Sequence, residues 1–349
     1  HNLYGLDIDD RAMQLARFAV LLKAAQYDAS ILEDPIMPHI YSFPEDTLGN
    51  LFTQTYYSKS QSNWHDLLGM QLTEPISIEW EETKKGKSKT KKVTFKEGEV
   101  LNEAIVDLLE LHCDEAIATD YSQELELFWG DYEKPHNYSE FFYAIKLLRQ
   151  GKNLGSAIKL NISNEVYIHI NEQYHNWLLK ESVAELTIEE TSIFNLLKPF
   201  LEVFLVLANQ YKAVVANPPY LGYKFLNDEQ KQFLEIAYPN TKSDLFAVFQ
   251  EVISDLGSEN ALRGIINQWA WMCIDSYKDY RNEFLKLYSV DSILHLGIGV
   301  FKELNTKKVQ NVALVFTDKT QEKTFTYCYR LDKTFDLSKK ENLFLQANR

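Results

Sequence analysis

Hydrophobic spacing divides this chain into an α/β opening, a long helical middle and an α/β close. Leu3-Tyr4-Gly5-Leu6-Asp7-Ile8-Asp9 is a short apolar run ending in carboxylates, the pattern of a buried strand. Residues 10–28 then carry Ala12, Leu15, Ala16, Ala19 and Leu22 at helical spacing, with Asp9 or Asp10 placed to cap the N-terminus. Pro35 and Pro38 break the chain before a second apolar run, His39–Phe43, which Pro44 stops. Strand, helix and strand in that order are the repeating unit of a parallel α/β sheet.

From about Leu48 the pattern changes. Ile76–Glu82 and Val93–Gly98 alternate around a lysine-rich run, Lys84–Lys92, which predicts a hairpin with a polar tip. Glu99–Thr119, Tyr138–Gln150 and, with breaks, Glu172–Gln210 are helical in spacing. The α/β rhythm resumes at Tyr211. Lys212–Ala216 reads as a short buried strand, Ser243–Asp255 as an amphipathic helix capped by Ser243, and Ala261–Asn267 as a strand. A helix over Asp275–Leu287 and strands over Val290–Leu296 and Val309–Thr317 follow. The expected fold is an α/β core in two parts, residues 1–47 and 211–318, split by a mostly helical insertion over 48–210. Residues 319–349 are more polar and read as a linker. A length of 349 residues suits such a divided architecture better than one ordinary core.

Composition is globular, at 45% apolar and 25% charged residues. No stretch approaches the roughly 18 uncharged apolar residues of a membrane span, so no membrane association is expected. The three cysteines, Cys113, Cys273 and Cys328, are scattered without CxxC spacing, which points to a reducing cytoplasm rather than a disulfide or zinc framework. Eight histidines show no HExxH pattern, and no metal is expected. Charge complicates the picture. With 36 basic and 50 acidic residues the net charge is −14, which disfavours extended phosphate contact, although total charge does not set local fields. Lys84–Lys92 reads either as a phosphate contact or as a solvated hairpin tip.

The chemistry centres on Asn217-Pro218-Pro219-Tyr220. Two prolines remove two backbone donors and fix φ near about −65°. Asn217, ahead of a proline, is pushed to an extended conformation. A rigid turn results at the carboxyl end of a strand, where open α/β sheets place their ligands. The Asn217 amide oxygen and a proline carbonyl are then free to accept the two N–H bonds of an exocyclic amine. Drawing on both bonds pulls the nitrogen toward pyramidal geometry and frees its lone pair for attack on a sulfonium methyl. Tyr220 offers a flat ring for stacking on the base presented, and the ring face rather than the hydroxyl is expected to matter. A duplex hides that amine, so the base has to be flipped out.

Val214–Tyr220 resembles motif IV of the amino-methyltransferases, and Tyr4–Asp9 resembles motif II. Residues 241–251, 265–271, 297–301 and 309–316 are similar to motifs V, VI, VII and VIII. The motif order is that of the gamma-class adenine-N6 DNA methyltransferases. The long insertion and Lys278-Asp279-Tyr280-Arg281 most resemble the large enzymes of phage defence, the BREX PglX type, and type IIG restriction–modification fusions.

The resemblance implies a Rossmann-like methyltransferase sheet, S-adenosylmethionine as cofactor, and double-stranded DNA with a flipped adenine as partner, with other defence subunits alongside. It implies that Asn217 and Pro218 orient the amine within the Asn217, Pro218, Pro219 and Tyr220 turn. Asp7 would hold the cofactor ribose. Asp46 reads as an acceptor for the cofactor's adenine or as a surface turn, and Phe249 as a packing ring for that adenine or as a core residue. Phe301 would stack on the flipped base opposite Tyr220. The family's Gly-rich motif I should precede motif II and its target-recognition domain should follow motif VIII. The chain is therefore expected to be a piece of a longer enzyme. An amino-methyltransferase acting on RNA or on a protein glutamine, or a silent docking fragment, are the other readings of these residues.

Overall fold

Alternating glycine, aromatic and aliphatic residues at Tyr4–Asp7 form the first strand, β1, in a computed structural model that describes residues 2–58, 64–84, 87–132, 136–300, 309–319 and 325–347. The chain divides into two units, His1–Ala208 and Asn209–Arg349.

In the first unit β1 pairs in parallel with β2 (His39–Ser42), Tyr4 opposite His39 and Asp7 opposite Ser42. Helix α1 (Asp10–Ala25) makes the crossover, capped by Asp9, whose side chain accepts from the Arg11 and Ala12 amides. Its apolar residues Leu15, Phe18 and Leu22 are exposed. Beyond β2 comes the region read from sequence as an insertion, which belongs to the same compact unit. Strand β3 (Thr53–Tyr57) anticipates β6 (Ile117–Tyr121), with which it pairs antiparallel. Between them lie the hairpin of β4 (Ile76–Lys84) and β5 (Lys87–Phe95) and helix α2 (Glu103–His112). Helices α3 (Gln123–Trp129), α4 (His136–Leu148), α5 (Gly151–Leu154), α6 (Asn164–Ser182) and α7 (Ile188–Leu207) complete the unit. Their core is aromatic: Phe128, Trp129, Phe141, Phe142, Phe194, Phe200 and Phe204 are fully buried. Helix α7 starts from a Thr187–Glu190 capping box and is apolar on most of its surface. That composition fits its position, because it packs both on the helices and on β1 and β2. A hairpin lies where alternation placed it, but most of the lysine run read as its tip is in β5, and the stretch Glu99–Thr119 read as helical ends in β6.

The second unit is built on a five-stranded sheet in the order β11-β9-β10-β8-β7. Strand β7 (Tyr211–Ala216) leads through α8 (Asp228–Ala237) and α9 (Leu245–Leu256) to β8 (Gly257–Gln268), its parallel neighbour. Helix α10 (Lys278–Leu287) then precedes β9 (Tyr288–Gly297). Strand β10 (Asn311–Asp318) inserts antiparallel between β8 and β9. Phe246, Ile253, Ile265, Phe284, Leu314 and Phe316 form the core between α9, α10 and the sheet. The cap of α9 is Asp244 rather than the expected Ser243: the carboxylate, one residue closer, accepts from the Phe246 amide. Residues 319–349, read from sequence as a linker, add β11 (Tyr327–Arg330) beside β9 and then α11 (Leu337–Ala347). Lys340 of α11 is buried and its Nζ donates to the Leu296 and Ile298 carbonyls. Burial, the larger influence on it, lowers the pKa of this ammonium.

Candidate active site

In the second unit, β7 ends at Ala216 opposite Ile265, and β8 runs on to Gln268. Asn217, Pro218, Pro219 and Tyr220 follow β7 directly. Asn217 is exposed, Pro218 is buried and Tyr220 is half-buried. Burying one proline while the preceding amide faces solvent is how a stiff turn offers a side chain to a ligand.

The chain leaving the turn is tied to the approach to α9. The Leu245 amide donates to the Leu221 carbonyl at 3.1 Å, and the Tyr223 amide to the Ser243 carbonyl at 3.0 Å. Asp244 pairs with Gly222 in an isolated antiparallel bridge. Burial raises the pKa of the Asp244 carboxyl, against the backbone hydrogen bonds that lower it. The Tyr220 ring meets Phe246 edge to face, with centroids 6.2 Å apart. Its hydroxyl donates to Asn311 Oδ1 at 2.9 Å, and burial pushes this phenol up to about 12.

Phe249, on α9, is half-buried and packs against the core of this unit. Phe301 lies outside the described residues. The turn before it is described: Gly297 and Gly299 have φ of 69° and 80°, which only glycine adopts without strain. A Cβ on Gly297 would also lie 2.9 Å from Asp332 Cα.

In the first unit, Asp7 ends β1 and is half-buried, one oxygen accepting from the Asp9 amide at 2.9 Å. A carboxylate has about four lone-pair sites, so Asp7 retains acceptor capacity suited to a vicinal diol such as ribose. Asp46 is differently placed. Arg149 holds it in a two-pronged ion pair, Nε to Oδ1 at 3.0 Å and a terminal nitrogen to Oδ2 at 3.0 Å. The Leu48 amide also donates to Oδ1. Little acceptor capacity is left for an adenine amine unless Arg149 shares it. The hydrogen bonds from Arg149 are the main reason the Asp46 carboxyl is held below its ordinary pKa.

Lys152, three residues further on, donates to the Ile8 carbonyl at 3.0 Å and to Asp10 at 2.8 Å. Gly151 between them approaches Phe43 so closely that a Cβ would lie 2.7 Å from its ring. The insertion therefore grips the loops that follow both β1 and β2. Sequence reading missed this grip. Its only trace was two cations flanking a glycine at the end of the Tyr138–Gln150 helix.

The grip has a measurable signature. Arg149→Ala is expected to cost about 0.5–1 kcal/mol at neutral pH, the range for a partly exposed but bidentate pair. Because the folded pKa of Asp46 is lowered, the stabilisation is present above the ordinary carboxylate value and is lost as pH falls through the lowered one. Urea unfolding of wild type and variant should therefore converge at acid pH. An equal gap at pH 7 and at strongly acid pH would rule out the ion pair as its cause.

Two further clusters lie in the insertion. The lysines of the hairpin are partly neutralised across the strands, Lys92 by Glu79 at 2.6 Å and Lys91 by Glu82 at 2.8 Å. That weakens their reading as phosphate contacts. His65, Asp107 and Glu110, all exposed, bring donor atoms within 4.8 Å of one another. Among the described residues no helix is long and apolar enough to cross a membrane.

Residues 1–301 match the family model of the Eco57I restriction-modification methylase. The chain is 27% identical over 348 residues to the adenine-specific methyltransferase BrxX of Escherichia coli O9:H4 (strain HS), covering 100% of this chain and 24% of that protein. It is 30% identical over 350 residues to the adenine-specific methyltransferase PglX of Lacticaseibacillus casei (strain Zhang), covering 99% and 22%. The chain thus spans about a quarter of the length of these relatives. Among solved structures, a nuclease-deletion mutant of the Type ISP restriction-modification enzyme LlaGI, in complex with a DNA substrate mimic, is 14% identical and covers 52% of this chain and 21% of that one. Its TM-score of 0.33 is too low to relate the two folds strand by strand.

Proposed function

Because the chain belongs to the Eco57I restriction-modification methylase family, we propose that the complete protein methylates N6 of adenine in double-stranded DNA, with S-adenosylmethionine as methyl donor. The observation that carries this reading is the turn after β7, where an exposed Asn217 amide, a buried Pro218 and a fixed Tyr220 ring follow one another at the carboxyl end of a parallel strand.

Bound S-adenosylmethionine supplies an electrophilic methyl group on a sulfonium sulfur. The Asn217 amide oxygen and the Pro218 carbonyl accept the two N–H bonds of the adenine amine and turn its lone pair toward that methyl. With the cofactor bound, the amine nitrogen would take the methyl and leave a neutral thioether on the cofactor, and the surplus amine proton would pass to solvent. Asp7 holds the ribose hydroxyls of the cofactor, while Asp46 and Phe249 are the candidates for its adenine. Tyr220 and Phe301 stack on the extruded base, recovering part of the unpairing cost.

The relatives are adenine-specific methyltransferases, and the family is one of restriction and modification, which supports a place in a restriction–modification or phage-defence system. Chromosomal and phage DNA put that reaction in the cytoplasm, beside other subunits of the same system. A net charge of −14 on this chain means that attraction to DNA must come from local basic surface. The test is methyl transfer by the purified complete protein from labelled S-adenosylmethionine to duplex DNA, structured RNA and a release-factor protein. Label on adenine of DNA is the expected result. Preference for RNA or protein would overturn the substrate, and absence of transfer to all three would favour a docking role.

A further inference from the structure

Tyr220 is fixed at both ends, and the group that fixes its ring is a buried asparagine 91 residues away in sequence. The phenol donates to Asn311 Oδ1 at 2.9 Å and lies 3.5 Å from the Ile266 carbonyl. Asn311 is 3% exposed, at the first position of β10, where the surrounding strand is Val312-Ala313-Leu314-Val315-Phe316. A buried amide is costly unless its hydrogen bonds are made, and an aliphatic residue would continue the strand without that cost. Its position is also irregular. Asn311 pairs with Gly297 of β9 but Val312 pairs with His295, so the register slips at this residue. Such bulges bend a strand and re-aim a side chain, and they are over-represented beside active sites.

We infer that Asn311 is a positioning residue for methyl transfer. It holds the Tyr220 ring at the angle at which an extruded base stacks, an inference that rests on the reading of Tyr220 given above. Phe246 meets the ring edge to face, and the bonds to residues 243–245 hold the main chain that follows. With the hydroxyl tied to Asn311, the ring cannot swing toward solvent without breaking a buried hydrogen bond. Stacking on a flipped base then requires no ordering of the tyrosine at the moment of binding, which lowers the entropic cost of forming the reactive geometry. On this inference the hydroxyl matters as well as the ring face, because it sets where the face points.

The test compares Tyr220→Phe, Asn311→Ala and the double variant in the complete protein, with Tyr220→Ala as reference. The readouts are kcat, KM for S-adenosylmethionine, and emission from 2-aminopurine at the target adenine. Tyr220→Phe removes one oxygen and keeps the stacking ring. It should lower kcat roughly 3- to 10-fold, the scale of one hydrogen bond, with cofactor KM unchanged. Asn311→Ala should match it, and the double variant should be no slower than the slower single one, because both remove the same interaction. In each variant the 2-aminopurine signal at saturating protein should fall below that of wild type. If Asn311→Ala does not fold, Tyr220→Phe and Asn311→Asp, which keeps an acceptor, decide the matter. Wild-type kcat in Tyr220→Phe, or losses that multiply in the double variant, would overturn the inference. If Tyr220→Ala itself keeps full activity, the stacking role fails instead, so the two failures are distinct.

Discussion

Asn217→Ala in the complete protein is expected to reduce the methylation rate by about 10²–10³-fold, the scale seen when one preorganised hydrogen-bonding group is removed from a site of developing charge. The amine of adenine is a poor nucleophile while its lone pair is delocalised into the ring. Two acceptors in fixed positions counter that delocalisation, and the turn supplies them at little entropic cost because Pro218 and Pro219 hold the backbone. Alanine removes one acceptor and leaves the second. The side chain of Asn217 is exposed, so its removal opens no cavity and exposes no core. The melting temperature should therefore stay near that of wild type while kcat falls, and binding of the cofactor should be preserved. A variant with near-normal turnover would remove Asn217 from the chemistry.

The second large effect is expected at Tyr220. Tyr220→Ala should lose roughly 1–3 kcal/mol of base stacking, which corresponds to about a 5- to 150-fold decrease in methylation of duplex DNA. The loss should be smaller when the target adenine is already mismatched, because less unpairing energy then has to be recovered. Competition between matched and mismatched duplexes in one reaction measures this directly. An equal loss on both would mean that Tyr220 supports the turn without stacking on a base. Some structural cost is also expected, since the ring packs on Phe246 and its hydroxyl satisfies the buried Asn311. Unfolding curves separate that cost from the catalytic one.

Local signals made much of this protein legible in its sequence. The run Ala213–Ala216 is apolar and short, and two prolines stop it, so a strand followed by a rigid turn is nearly dictated, but the strand is not buried as its composition suggested: Val215 is 84% exposed. Asp7 at the end of β1 and Asp9 at the cap of α1 follow from the switch between period-two and helical spacing. The β4–β5 hairpin followed from alternation around a lysine-rich run. Contacts between distant positions leave no such trace. Arg149 meets Asp46 across 103 residues, and Lys152 meets Ile8 across 144, through an insertion whose helices show only their own periodicity. Asn311 reads as a polar start to an apolar strand until its amide is seen against Tyr220.

The last residues were misread for a related reason. Residues 319–349 look polar, yet the buried end of Lys340 finds two carbonyls at the end of β9 and just after it, and its aliphatic stem is covered with it. The exchange of Ser243 for Asp244 as the cap of α9 is smaller in kind. Both side chains can cap, and the choice depends on which residue holds extended backbone; Asp244, at φ −157° and ψ 142°, does.

The central claim is that the turn Asn217–Tyr220 serves methylation of adenine N6 in DNA, and modified-base sequencing of a host tests it most directly. One host carries the complete gene, and a second carries the same gene with Asn217→Ala. The account predicts N6-methyladenine at one recurring sequence motif in the first host and its loss in the second, at equal protein levels. Methylation that persists with Asn217→Ala, or a wild-type host with no N6-methyladenine above that of a strain lacking the gene, would contradict it.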